Sequence, residues 1–270
     1  MSRWDHDPDL ATLVKKIALE RRFGFDAYKE SCLKRRVAVR MRATGVETYD
    51  DYATLLDRDA GEYEKLLDAL TINVTKFYRN RETWEAIAQK VIPQLIQPGS
   101  GQLRCWSAGC ASGEEPYTLA ILISECERNG EQAASIAHID ASDFDKRSLD
   151  RASTGEYGDA AFEELPTLLT QRYFTGESPR SIKPEIRSMV RFVRHDITRE
   201  PPPNPPYDLI MCRNVLIYFD RETQERLVSN FIDALNPGGY LVLGRAETLF
   251  GQARERLKLE DARERIYRTS

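Results

Sequence analysis

The chain has 270 residues, of which 41% are hydrophobic and 30% charged, and a formal net charge of −4. This length holds one large domain and a small companion, and the apolar content suffices for a packed core, which excludes a disordered chain. No apolar run is long enough to span a bilayer, and the opening MSRWDHDPDL lacks the apolar segment of a secretory leader, so a cytoplasmic, monomeric protein without membrane insertion is expected.

Roughly the first ninety residues read as successive helices. Leu10, Leu13, Val14, Ile17 and Ala18 form one apolar stripe at helical spacing, and Tyr63, Leu66, Leu67 and Leu70 form another. Asp7, just ahead of Pro8, is a suitable N-cap for the first helix. Between Lys15 and Arg42 lie ten basic residues, opposed by Glu20, Asp26 and Glu30. A helix over 29–43 buries Leu33, Val37 and Met41 and spreads Arg35, Arg36, Arg40 and Arg42 across its exposed arc. Taken alone, such an arc is a solvated face or an electrostatic footprint for an acidic partner.

From about residue 100 short apolar runs alternate with amphipathic helices. LRCWSAG, IAHIDASD, YDLIMCRN and GYLVLG read as strands; PYTLAILISECER, DKRSLDRAS and RETQERLVSNFIDAL read as the helices between them. This is the grammar of βαβ units and predicts a doubly wound α/β domain with a mainly parallel sheet. EPPPNPPYD is an extended proline-rich connection, residues 173–196 read as a small β-excursion, and KLEDARERIYRT as a closing strand pair. The expected division is a helical domain over 1–90 and an α/β domain over 91–270.

Ligands of open α/β sheets bind beyond the carboxyl ends of the strands. Three segments of this sequence belong there. In SAGCASGEEPY, Gly109 and Gly113 permit a tight turn before a helix, but the spacing matches neither phosphate-binding glycine motif. Glu114 and Glu115 would repel a phosphate and suit a cation such as S-adenosylmethionine, with its sulfonium and ammonium groups. We assign Glu114 to the helix end and Glu115 to the ligand. Asp143 ends the second strand, where a carboxylate can accept both hydroxyls of a ribose. Arg213 and Asn214 are polar where an apolar strand opens, and Tyr218 follows. The tetrapeptide Asn204–Tyr207 spells the NPPY of adenine-N6 DNA methyltransferases, yet it precedes its strand and so falls at the opposite end of the sheet. Cys32, Cys105, Cys110, Cys126 and Cys212 form no C-x-x-C pair, and His6, His138 and His195 form no ligand motif. Neither a disulfide framework nor a metal site is expected.

Together, TINVTKFYR, SAGCASGEEPYTLA, ASDFD, the A-x-x-G-x-Y of RASTGEYG, CRNVLIYFD and LNPGGYLVLG resemble, in this order, the chemotaxis receptor glutamate O-methyltransferases of the CheR type. The similarity covers nearly the whole chain. It implies a Rossmann-like domain that moves the methyl group of S-adenosylmethionine to glutamate carboxylates, with a helical domain in front and a small β-subdomain inserted. It implies cofactor contacts at Asn73, Thr75, Arg79, Glu115, Asp143, Asp196, Ile197, Arg213 and Asn214. Where relatives often carry asparagine this chain has Asp196, which accepts hydrogen bonds but does not donate them. Arg79 is the candidate for orienting the substrate carboxylate, with Tyr218 as its hydrogen-bonding or packing partner. The arc of Arg35, Arg36, Arg40 and Arg42 resembles the surface that docks acidic receptor helices, with no nucleic acid bound. On the residues alone, a nucleic-acid methyltransferase and a non-catalytic cofactor-binding module remain alternatives.

Overall fold

Asp7 opens the first helix in the computed structural model: its carboxylate accepts the Leu10 N–H at 3.2 Å and its carbonyl the Ala11 N–H at 3.0 Å. The structure describes residues 7–21, 27–70, 75–96, 101–128 and 137–270. The chain divides into two units, one of residues up to Asn73 together with Tyr218–Thr223, the other of Val74–Ile217 and Gln224–Ser270.

The first unit holds α1 (Pro8–Arg21), α2 (Glu30–Thr44), α3 (Tyr49–Arg58) and α4 (Ala60–Leu70). Each buries the residues that its apolar period dictates: Leu10, Leu13, Val14 and Ile17 on α1, Leu33, Val37 and Met41 on α2, and Tyr63, Leu66 and Leu70 on α4. Gly45, in the left-handed region at φ 72°, ends α2, and the Thr48 hydroxyl caps α3 by accepting the Asp51 N–H.

Two arginines of the expected exposed arc are instead committed inside this unit. Glu62, in the first turn of α4, is buried and takes the Arg40 guanidinium in two bonds, Nε–Oε1 at 3.0 Å and Nη2–Oε2 at 2.5 Å. The Tyr52 hydroxyl completes the cluster at 2.7 Å. A carboxylate withdrawn from water requires such partners, which is why Arg40 turns inward. Arg36 donates to the Ala69 carbonyl and lies over the Tyr218 ring. Arg35 and Arg42 are exposed as expected. The remaining part of the unit comes from far along the chain: Lys29 N–H donates to the Tyr218 carbonyl at 2.9 Å, Asp220 N–H to the Ala27 carbonyl at 3.0 Å, and Tyr28 meets Phe219 edge-on.

The second unit begins with helices, not strands. After α5 (Arg81–Ala86), a π-helical turn (Ile87–Val91) and α6 (Ile92–Leu95) continue the helical text, but Trp84, Ile87, Val91 and Ile92 are buried in the core of the α/β domain. The domain continues with β1 (Arg104–Ala108), α7 (Glu114–Cys126), β2 (His138–Asp143), α8 (Lys146–Thr154), β3 (Glu156–Tyr157), α9 (Thr167–Tyr173), β4 (Phe174–Thr175), β5 (Arg180–Ile182), α10 (Pro184–Arg187), β6 (Val190–Arg194), β7 (Tyr207–Cys212), α11 (Arg221–Asp233), β8 (Leu235–Leu243), α12 (Ala253–Arg256), β9 (Leu257–Asp261) and β10 (Ile266–Thr269). The main sheet runs β6-β2-β1-β7-β8-β10-β9. Strands β6 to β8 are parallel, and β10 is antiparallel to both β8 and β9, which is the expected closing pair.

The β-excursion differs in extent from the expected 173–196. Its three short strands, ordered β3-β5-β4, take in Glu156–Tyr157 and end at Ile182, while Val190–Arg194 joins the edge of the main sheet beside β2. Phe174 and Ile182 instead enter the common apolar core, where Phe77 and Phe162 meet Phe174 edge-on and Tyr157 meets Phe77 edge-on.

Candidate functional site

The strand order reverses direction at β1: β2 lies on one side and β7 on the other, leaving the crevice where an open sheet binds its ligand. Register brings the strand ends level. Ala108 pairs with Ser142, Asp143 with Arg194, Ser107 with Met211 and Cys212 with Leu243. The segments following these ends therefore meet at one edge, and they include Glu115, Asp143, Asp196, Arg213 and Asn214.

The turn after β1 has no room for a side chain at either of its glycines. Gly109 sits at φ 81° with its N–H on the Ser142 carbonyl at 2.8 Å, and a Cβ there would lie 2.5 Å from Val215. Gly113, at φ 93°, starts α7, and a Cβ there would meet Ala152, Tyr157 and Phe192 within 3.1 Å. Glu114 is buried and accepts the Ser112 hydroxyl at 2.8 Å, consistent with a helix-end role. Glu115, on the next position of the helix, accepts the Ser107 hydroxyl at 2.9 Å and Arg213 Nη1 at 3.3 Å. Burial pushes the Glu115 carboxyl up, against the pull of Arg213, Ser107 and Arg79.

Arg213 is a strut. Its side chain is 2% exposed, Nη2 donates to the Arg79 carbonyl at 2.8 Å and to Asn80 Oδ1 at 3.3 Å, and the guanidinium lies 5.2 Å from the Trp84 ring centre. Burial lowers its pKa, and the nearby Arg79 charge lowers it further, while Glu115 raises it. Arg79, half-buried, is thus tied to the Glu115–Arg213 pair through its carbonyl.

Asp143 anchors the other wall. Its carboxylate accepts the Ala111 N–H and the Asp145 N–H, each at 2.9 Å, leaving lone pairs on both oxygens. Burial pushes this carboxyl up, and the two N–H groups pull it back. The Asp143 carbonyl accepts the His195 N–H at 2.9 Å, so Asp196 follows one residue later. Asp196 is itself buried, with Oδ1 accepting the Thr198 N–H at 2.9 Å and hydroxyl at 2.6 Å, while Oδ2 makes no hydrogen bond. Ile197 and Thr75 are half-buried, Tyr218 groups with the first unit, and Asn73 lies outside the described residues.

Tyr207 of the NPPY tetrapeptide is architectural. It starts β7, at the amino end, donates its hydroxyl to buried Asp140 at 2.9 Å, accepts the Asn204 N–H at 2.9 Å and stacks on Trp106. Sequence reasoning missed four residues that build the site: Ser107, Asn80, Trp84 and Glu247. The last was open to the same argument as Asp143, being an acidic residue just past an apolar strand.

Acidic side chains at the carboxyl edge, Asp143 ending β2 and Glu115 paired with Arg213, line the crevice of a doubly wound α/β domain. Two families cover the chain. Residues 8–71 match the CheR methyltransferase all-alpha domain, and residues 73–266 match the CheR methyltransferase SAM binding domain. A chemotaxis protein methyltransferase of Listeria innocua is 36% identical over 87% of this chain and 88% of its own. One from Pseudomonas putida is 39% identical over 71% of both chains. A solved TehB-like SAM-dependent methyltransferase from Corynebacterium glutamicum aligns with 71% of this chain and 94% of its own, at 16% identity and a TM-score of 0.38. The chain belongs to the CheR methyltransferase family and uses S-adenosylmethionine as its methyl donor. No helix among the described residues is long and apolar enough to cross a membrane.

Proposed function

We propose that the chain is a cytoplasmic enzyme that methylates glutamate side chains on the cytoplasmic helices of chemotaxis receptors, yielding glutamyl methyl esters and S-adenosylhomocysteine. The observation that carries this reading is the buried ion pair of Glu115 and Arg213 at the carboxyl edge of the sheet, with Arg213 Nη2 holding the Arg79 segment by its carbonyl at 2.8 Å. A glutamate carboxylate, with a reference pKa of about 4.3, is already ionised at neutral pH and needs only orientation and desolvation. That the relatives are chemotaxis protein methyltransferases supports a chemotaxis protein as the acceptor.

When bound, S-adenosylmethionine supplies an electrophilic methyl group on a cationic sulfur. A carboxylate oriented in this crevice would accept that methyl group and leave S-adenosylhomocysteine. In this reading Asp143 accepts the ribose hydroxyls, Glu115 faces the cationic end, and Arg213 fixes both Glu115 and the Arg79 segment. Asp143→Ala should lower S-adenosylhomocysteine affinity about ten- to a hundredfold, the range of a hydrogen bond to a charged group. Unchanged affinity by calorimetry in a folded variant would remove Asp143 from the site.

Methyl esters release methanol in mild alkali and N-methyl bases do not, so alkali lability of the labelled product tests the acceptor directly. Docking is assigned to the exposed Arg35 and Arg42. Reversing both to glutamate should cut the rate on receptor fragments at least about tenfold by setting like charges against acidic helices. Affinity for S-adenosylhomocysteine should not change. A wild-type rate for this double variant would leave these arginines as a solvated face.

A further inference from the structure

The loop after β7 leaves the sheet with a run of backbone N–H groups that no strand accepts. Asn214 stands in the left-handed region at φ 61°, an uncommon conformation for a residue with a side chain. Val215 follows, and Leu216 starts a short 3₁₀ turn. Buried N–H groups of this kind must find acceptors. One side chain serves all of them: the Glu247 carboxylate accepts Val215 N–H at 2.8 Å and Leu216 N–H at 2.7 Å on Oε1, and Asn214 N–H at 3.2 Å and Gly244 N–H at 2.5 Å on Oε2.

Glu247 is 3% exposed, so its charge is withdrawn from water and balanced by these donors. Gly244 is fitted to the same cluster. A Cβ on it would lie 2.8 Å from both Asn214 N and Glu247 Oε2, so the loops after β7 and β8 are locked edge to edge. Arg213, the residue before the clamped run, places Glu115 and the Arg79 carbonyl. The Glu247 charge is also felt at the Arg213 guanidinium.

We propose that Glu247 is a positioning residue for the methyl-donor site: its carboxylate clamps residues 214–216 and so sets Arg213 and Asn214 in the cofactor crevice. This rests on the assignment of Arg213 and Asn214 to that crevice. A neutral amide cannot replace it, because Glu247→Gln sets an NH₂ donor against two N–H donors. Aspartate keeps the charge but is one methylene short, so Glu247→Asp should restore only part of the clamp.

The test pairs hydrogen exchange with calorimetry on the full chain. In the wild-type protein the amides of Asn214, Val215 and Leu216 exchange slowly; rapid exchange there overturns the proposal without any variant. In Glu247→Gln the three amides lose protection selectively, with the β1 and β2 amides as internal reference. Affinity for S-adenosylhomocysteine falls about ten- to a hundredfold, and Glu247→Asp lies between. Gly244→Ala, which pushes the same groups apart without changing charge, has the same double signature and decides the matter if Glu247→Gln does not fold. Retained affinity despite lost protection overturns the proposal. Asn214→Ala and Arg213→Ala serve as reference variants. If both keep wild-type affinity, the assignment of these residues to the crevice has failed; if they lose affinity and Glu247→Gln does not, the clamp alone has failed.

Discussion

Arg79→Ala is expected to reduce the turnover number of receptor methylation by about a hundred- to a thousandfold, the range for removing one preorganised donor from a charge-stabilising site. The substitution is unusually clean. The contact that ties Arg213 to this segment uses the Arg79 carbonyl, at 2.8 Å, and a backbone carbonyl survives the loss of the side chain. Arg79→Lys should recover little, because an ammonium lacks the planar fork that aligns both oxygens of a carboxylate. The measurement is the initial rate of alkali-labile methylation of receptor fragments, with S-adenosylhomocysteine affinity determined alongside. A variant with near-normal turnover would end the orienting role, and one that loses only cofactor affinity would recast Arg79 as a residue that holds the donor.

The second large effect concerns the fold of the first unit. Arg40→Glu places a second carboxylate beside Glu62, whose side chain is 3% exposed, against 20% for Arg40. Removing one partner of a buried pair costs about 3–5 kcal/mol, and the partial exposure of Arg40 argues for the lower end, ~3 kcal/mol, before like-charge repulsion is added. Loss of helical circular dichroism and of amide protection in α2 and α4 should follow, with Arg40→Lys milder and Glu62→Gln partly restorative in combination. Burial acts to raise the Glu62 carboxyl, but Arg40 and Tyr52 outweigh it and hold the group below the ordinary carboxylate range. A depressed folded-state pKa contributes stability that is present above the unfolded value of about 4.3 and lost as pH falls through the folded one. Acid unfolding of α2 and α4 should therefore begin below about pH 4. A single Glu62→Gln variant should be less stable at neutral pH and less sensitive to acid. Identical acid profiles would show that the pair contributes nothing.

The helix stripes, the Asp7 cap, the strand runs and the turn at Gly109 were legible because each depends on neighbours within a few residues. The placement of Asp143, Arg213 and Glu115 at the carboxyl edge was legible because a polar side chain at the end of an apolar strand, or in the first turn after a glycine loop, has few architectural reasons to be there. The inward turn of Arg40 was not. A helical wheel gives the angle of a side chain, and it is Glu62, twenty-two residues later, that decides whether that angle faces water or a buried anion. Periodicity likewise marks Trp84, Ile87 and Val91 as one face of a helix without saying which core receives it, and they belong to the α/β domain. Val190–Arg194 reads as a β-former in either sheet, and only pairing with β2 settles its place. Glu247, an acidic residue just past an apolar strand, carried the same signal as Asp143, but its partners are backbone N–H groups some thirty residues away, so its clamping role was not announced by any side-chain pattern.

The segment Tyr218–Thr223, which pairs with Ala27–Lys29, gives the first unit a timetable. The four helices leave the ribosome early, but the strip that completes them is still about 150 codons away. At roughly 5–20 residues per second, the gap lasts on the order of 7–30 s, far longer than helix formation takes. During synthesis the helical unit therefore waits incomplete while β1 to β7 are made, and it closes only once the loop after β7 emerges. Cutting the gene at the boundary near residue 73 would release four helices without their last piece.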